Sequence, residues 1–182
     1  MSVGGTLEER KAKILMKLRG YRLLKREEIK NGVGFTVRLK DGKKAFFWVV
    51  STDGTVGVAI VNQLKKAMVE AEVEKGIVVT SGKYSPAAKA NAKKKGIELV
   101  PKIFPSFNIF DHEFVPKHEI LTDEEKEEFL TKYKVQPYQL PRIQSSDPAI
   151  IAIGATPGDI VRIIRNSPTA GKYVAHRYVV QS

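Results

Sequence analysis

Cysteine is absent from this 182-residue chain. That excludes a disulfide framework and a thiolate metal site. His112, His118 and His176 are the only histidines, and they are too scattered to suggest a shared metal ion. There is no Gly-rich phosphate loop. No apolar run approaches the roughly 18–20 residues of a membrane span, and no signal peptide opens the chain. Internal repeats and low-complexity tracts are also missing. The expectation is a soluble intracellular protein with no catalytic residues, no cofactor, no metal, no membrane association and no small-molecule substrate.

Positive charge is abundant and unevenly placed. The formal net charge is +11, from 31 Lys/Arg and 20 Asp/Glu. Met1 to Glu113 holds 22 of those cations against 12 acids, net +10, and Phe114 to Ser182 holds nine against eight, net +1. A basic field confined to the first two-thirds suggests a polyanion partner, most often nucleic acid; a plain basic surface is the alternative. The length suits one or two domains with a real core.

The first part reads as an α/β unit. Thr6-Leu7-Glu8-Glu9 has the form of a capping box, and Leu7, Ile14, Leu15, Leu18 and Tyr21 predict a helix over about 7–23. Phe35 to Lys40 alternates as a strand, Asp41-Gly42 marks a hairpin turn, and Lys44 to Val50 (KAFFWVV) reads as a strand buried on both faces. A helix is expected between Gly54 and Glu74, with Ile60, Val61, Leu64, Met68 and Val69 on one side. Ile77 to Thr80 is the next strand. Ser85-Pro86 starts another helix that ends at Gly96, and Ile97 to Val100 follows as a parallel strand. Lys83, Lys89, Lys93, Lys94 and Lys95 surround the Ser85-Pro86 helix start. Free N–H groups at such a start favour a phosphate; a solvated lysine face is the alternative.

The second part reads as a small α+β unit. Thr122 and Glu125 form a capping box, five acids crowd the first turns, and Phe129, Leu130 and Tyr133 give a short apolar stripe before Pro137. Pro141 and Pro148 punctuate the chain, and Pro157-Gly158 signals a turn. Ile160 to Arg165 and Tyr173 to Val180 read as the strands of a hairpin, with Arg162, Arg165 and Arg177 as its charged positions. The boundary between the units is expected after His112, giving 1–112 and 113–182.

The pieces DHEFVPKH, LTDEEK, QLPRI, DP and PGDIVRIIRNSPTAGKYVAHR resemble, in order and spacing, the assembly domain of the fifth-subunit family of RNA polymerases, which archaeal and eukaryotic enzymes share. The resemblance is to the archaeal form, strong over the last 70 residues and fading upstream of Gly54. It implies a non-catalytic subunit of DNA-directed RNA polymerase with an N-terminal jaw. The assembly domain would dock on the largest subunit through Gln139, Leu140, Pro141, Arg142 and Ile143 and through the hairpin at Thr169, Ala170 and Gly171, with Arg177 a further contact position; a purely shaping role for these prolines and glycines is the alternative. The jaw carries a T-P-S-A motif near downstream duplex DNA, and the matching Ser85-Pro86-Ala87-Ala88 points to Lys83, Ser85, Pro86, Lys89 and Lys93 as backbone contacts. An archaeal source implies the cytoplasm, a eukaryotic one the nucleus. Two departures touch contact details: Pro168 replaces a frequent Glu, and Ala149 to Ile153 lacks an aromatic before Gly154.

The first unit also resembles the restriction-endonuclease-like fold. Such nucleases need an Asp and an acid-x-Lys pair on central strands, where a divalent ion activates water. Glu28-Ile29-Lys30 and Asp41-Gly42-Lys43 match by letter, but the expected positions are a helix end or loop and a turn. No carboxylate lies in Lys44 to Val50. A stand-alone nucleic-acid-binding protein and a degenerate nuclease remain the rival readings.

Overall fold

The computed structural model describes residues 5–52, 54–167 and 171–181. The chain divides into two compact units, Met1–Phe107 and Asn108–Ser182. The division falls ahead of the boundary expected after His112, and Phe110 packs its ring against His118 within the second unit, 5.9 Å between centroids.

In the first unit, helix α1 (Leu7–Leu18) is capped by Thr6, whose hydroxyl accepts from the Glu9 N–H at 3.3 Å. The Glu9 carboxylate does not return to the cap. It pairs with Arg26 at 3.2 Å and Lys13 at 3.8 Å. The helix also stops earlier than the expected end near Leu23. Gly20 turns left-handed (φ +67°), and the Gly20 and Tyr21 N–H groups close back on the Lys17 and Met16 carbonyls at 3.1 and 2.8 Å. That is a Schellman ending, which glycine permits without a Cβ clash. Leu23 and Leu24 therefore sit exposed on a strand.

That strand, β1 (Arg22–Ile29), begins an antiparallel meander with β2 (Gly32–Arg38) and β3 (Lys44–Val50). The turn into β2 requires glycine: Gly32 has φ +154°, and a Cβ there would lie 1.8 Å from the Val49 carbonyl oxygen. Two further strands, β5 (Lys75–Thr80) and β7 (Ile97–Val100), run parallel to β3, so the sheet order is β1-β2-β3-β5-β7. Every β3 residue from Ala45 to Val50 is buried, as its unbroken apolar run requires of a strand covered on both faces. Alternation sends Phe46, Trp48 and Val50 into the cluster built with helices α2 (Val58–Glu70) and α3 (Pro86–Lys94). The other set includes Phe47, which meets Tyr21 edge-on at 6.3 Å, and α1 packs on β3 and β5. On α2, Val61, Leu64 and Met68 are buried as expected, but Val69 is 69% exposed.

The second unit is a four-stranded sheet of order β8-β10-β11-β9, from β8 (Lys117–Ile120), β9 (Arg142–Gln144), β10 (Ile160–Ser167) and β11 (Gly171–Val180). Helix α4 (Asp123–Tyr133) has the full capping box: Thr122 Oγ1 accepts from the Glu125 N–H and Glu125 accepts from the Thr122 N–H. It ends before Pro137, at Lys134 in the left-handed region. Helix α5 (Pro148–Ile153) lies in a stretch expected only to connect elements. Asp147 caps it through the Ala149 N–H at 2.8 Å, Pro148 takes the first helical position, and Gly154 (φ +80°) ends it. Its Ile150 joins Val161, Ile163 and Val179 as the core.

Candidate nucleic-acid and partner interfaces

The first candidate surface grows from a short parallel ladder. Strands β4 (Thr55–Val56) and β6 (Lys83–Tyr84) pair as Thr55↔Lys83 and Val56↔Tyr84, and each leads directly into α2 or α3. The two helix N-termini therefore emerge side by side. Ser85 caps α3, its Oγ accepting from the Ala88 N–H at 3.1 Å, with Pro86 at the first turn. Gly57 caps α2 with no side-chain bond, so the first-turn N–H groups of α2 have no hydroxyl or carboxylate cap. Ala88 and Ala92 face the core, which turns Lys89 and Lys93 outward, and Lys83 is also exposed. The structure thus gathers Lys83, Ser85, Pro86, Lys89 and Lys93 on one helix and its lead-in.

It also adds cations not singled out in the sequence. Lys95 bonds Asn62 Oδ1 across to α2, and the two line a shallow groove with Lys65 and Lys66. The signal was present as the run Gln63-Leu64-Lys65-Lys66, but only packing of α2 on α3 shows that its lysines line a groove with Lys95 at the end of α3.

The strands where a nuclease would hold a divalent ion offer no ligands. β2 (GVGFTVR), β3 (KAFFWVV) and β5 (KGIVVT) contain no carboxylate. Glu28 and Ile29 end the edge strand β1 rather than a helix, with Lys30 in the following turn; Asp41-Gly42-Lys43 is the β2–β3 hairpin, where Asp41 accepts from the Lys43 N–H. Glu98 on β7 is committed to Arg19, as two bonds of 2.9 and 2.5 Å. Glu8 is buried on α1; burial opposes its charge, but hydrogen bonding led by its own N–H outweighs this and holds its carboxyl below the ordinary range. Among the described residues, no group of three or more His, Cys, Asp or Glu side chains could hold a metal. The residues present do not fit the divalent ion of a nuclease.

The second candidate surface lies on the sheet of the second unit. Gln139 closes a 3₁₀ turn, its Oε1 accepting from the Gln136 N–H at 2.7 Å. Leu140 is half-buried and Pro141 and Arg142 are exposed. Arg142 and Ile143 lie on β9, paired parallel with Tyr178 and Val179 of β11. Arg177 donates to the Arg142 carbonyl at 3.2 Å. The structure therefore brings Gln139–Ile143 and Arg177 together. Thr169 and Ala170, with Pro168, lie outside the described residues. Gly171 opens β11 (φ +71°), six residues and so about 20 Å of strand from Arg177. Gly171 and the β9 pairing of Arg142 and Ile143 therefore lie at opposite ends of β11.

Helix α4 meets β11 through an aromatic contact. Phe129 stacks on His176 at 4.1 Å between centroids and on Tyr133 at 4.9 Å. Arg162 is not a solvated strand residue: it reaches Glu125 at 2.6 Å and Glu119 at 3.4 Å. Burial, reinforced by Arg162, pushes the His176 pKa down, and burial does the same to His118. A histidine depressed in the folded state stabilises fully above its unfolded pKa near 6.5 and loses that contribution as pH falls toward the folded value. Thermal melts of the second unit should therefore fall between about pH 7.5 and about pH 5, and the fall should shrink in His176→Phe. A melting temperature flat across that window would contradict the packing.

Comparison with known proteins divides the chain in the same way. Residues 107–179 match the family described as RNA polymerase Rpb5, C-terminal domain, and residues 5–102 match the family described as restriction endonuclease. DNA-directed RNA polymerase subunit Rpo5 of Thermococcus kodakarensis is 59% identical over 75 residues, 41% of this chain and 92% of that protein. Subunit RPABC1 of RNA polymerases I, II and III of Caenorhabditis elegans is 37% identical over 132 residues, 70% of this chain and 63% of that protein. Among solved structures, a repair endonuclease from Pyrococcus abyssi covers 58% of this chain and 50% of its own at a TM-score of 0.42 and 20% identity. The chain belongs to the Rpo5 family of DNA-directed RNA polymerase subunits, and it carries, ahead of that family's domain, a domain of the restriction-endonuclease family.

Proposed function

We propose that the chain is a non-catalytic polymerase subunit whose second unit anchors it to the largest subunit and whose first unit contacts downstream duplex DNA, in the cytoplasm of an archaeal cell. The observation that carries this reading is the overlap between the Rpo5 match, residues 107–179, and the second compact unit, Asn108–Ser182. Nuclease chemistry is disfavoured because β2, β3 and β5 lack carboxylates, and metal-assisted hydrolysis needs ligands there. A basic face survives on that scaffold. It offers two helix N-termini and point charges from Lys65, Lys66, Lys83 and Lys89, which suit a phosphodiester backbone without base readout.

The anchor is tested by adding the tagged full-length chain to Thermococcus kodakarensis polymerase core prepared without its own Rpo5. Assembly is expected, and Arg142→Glu should weaken it. A folded chain that never assembles would sink the anchor. The DNA contact is tested by anisotropy with random duplex across a salt series. Changing Lys65, Lys66, Lys83 and Lys89 to Gln should lower the salt slope by about one for each phosphate no longer neutralised, whatever the sequence. An unchanged slope would move the DNA-binding face elsewhere. Incubation of duplex with magnesium or manganese should yield no cleavage.

A further inference from the structure

The edge of β11 is only partly used. Strand β9 pairs with it at Tyr178, Val179 and Val180 alone. The reason is Pro141. The Tyr178 N–H donates to the Pro141 carbonyl at 2.9 Å. In a parallel ladder the next bond would run from the N–H of residue 141 to the His176 carbonyl, and proline has no N–H to give. The pairing stops there.

The unpaired stretch can be read residue by residue. The Val179 N–H donates toward the β10 side, to Asp159, while the Tyr178 N–H and the Val180 carbonyl point to the β9 side. Alternation then directs the backbone N–H and C=O groups of Lys172, Val174 and His176 outward, and those of Tyr173, Ala175 and Arg177 toward β10. Among the described residues, none of these outward groups has a strand partner. Tyr173 is 63% exposed and Val174 40% exposed on the same strand. The flanks are cationic: Arg142, Lys172 and Arg177 lie on β9 and β11, Arg165 stands opposite Tyr173, and neither β9 (RIQ) nor β11 (GKYVAHRYVV) carries a carboxylate.

We propose that this edge, Lys172 to Arg177, takes an extended segment of the polymerase core as an added strand beside β9, and that the segment bears acidic side chains. The inference rests on the polymerase reading and adds how the anchor is made. Main-chain bonds would supply affinity, and the Arg142, Lys172 and Arg177 side chains would select an acidic partner. The existing parallel strand shows that this edge accepts a neighbour. Lys172 disfavours a second copy of the same basic edge.

Residue-resolved amide exchange on the full chain, free and assembled with the Thermococcus kodakarensis core lacking Rpo5, tests this. In the free chain, the amides of Lys172, Val174 and His176 should exchange fast and those of Tyr173, Ala175 and Arg177 slowly. On assembly the first set should slow by at least about tenfold. A second measurement uses Val174→Pro, which removes an outward N–H and no β10 bond. It should keep the hairpin's thermal transition and weaken capture by at least about tenfold. If the chain assembles while those outward amides stay fast, the added strand is wrong and the anchor reading stands. If nothing assembles, both fall. Protection in the isolated chain that grows with its own concentration would assign the edge to a second copy and overturn the proposal.

Discussion

Glu98→Ala should cost the first unit about 3 kcal/mol, the low end of the range for removing one partner of a buried ion pair, because Arg19 is buried while the Glu98 side chain is 30% exposed. Arg19 caps the C-terminal end of α1 with only 2% of its side chain exposed, and its guanidinium meets both Glu98 oxygens. The pair ties α1 to the edge strand β7. Burial works against ionising Glu98, but Arg19, aided by Lys75, outweighs it and holds the carboxyl below its ordinary range. Alanine leaves the guanidinium buried without that carboxylate. For a unit near one hundred residues each kcal/mol moves the melting temperature by about 4–8 °C, so the drop should exceed about 10 °C. A carboxylate depressed in the fold stabilises above its unfolded pKa and loses that contribution as pH falls through the folded value. Glu98→Ala should therefore also flatten the acid limb of the stability curve. Arg19→Met with Glu98→Leu should recover much of the loss, since apolar replacement of a buried pair is often close to neutral. A single variant that melts within a few degrees of the parent would show that the pair is dispensable.

Much of this architecture is legible in the sequence because its signals are local. The Asp41-Gly42 hairpin, the Ser85-Pro86 start and the Thr122–Glu125 box each specify an element through bonds made within a few residues, and the unbroken apolar run of β3 marks a strand covered on both faces. What stays hidden depends on neighbours distant in sequence. Leu23 and Leu24 extend the helical periodicity of α1, yet Gly20 ends the helix and β2 recruits them into β1. Ile103 and Val69 look like core residues and are exposed, while Glu8, Glu9 and Lys11 look like surface residues and are buried. Lys11 is accommodated because its Nζ donates to the Lys102 carbonyl at 2.6 Å. Helix α5 escapes the sequence reading although Asp147, Pro148 and Gly154 spell its start and stop; a six-residue piece that opens on Pro148 with Pro157 soon after reads more naturally as a connection. The candidate surfaces follow the same division. The lysines of α3 are visible along one helix, but Lys65 and Lys66 meet Lys95 only through packing of α2. Gln139–Ile143 and Arg177 stand out in the sequence, but the bond that joins them and the open edge created by Pro141 follow from sheet order.

Ile150→Ala should separate the two units functionally. Ile150 is fully buried at the centre of the second unit's small core, with Val161, Ile163 and Val179 around it. Truncation of such an isoleucine costs about 2–5 kcal/mol. A unit of this size is stable by roughly 4–11 kcal/mol in total, so the variant should lose a large fraction of its margin. The loss reaches the proposed anchor directly, because α5 and β9 lie along the same short stretch and Ile143 packs on the Ile150 cluster. Capture by polymerase core lacking Rpo5 should fall about twofold at the new melting temperature and at least about tenfold once the folded fraction drops below about one tenth, by mass action on that fraction. The first unit has its own core, in which Phe35, Phe47 and Leu64 are fully buried. Its thermal transition and its salt-dependent DNA affinity should both stay where they were. Capture that persists while the second unit is unfolded would place the anchor in the first unit and overturn this division of labour; a first-unit transition that moves with Ile150→Ala would show that the two cores are energetically coupled.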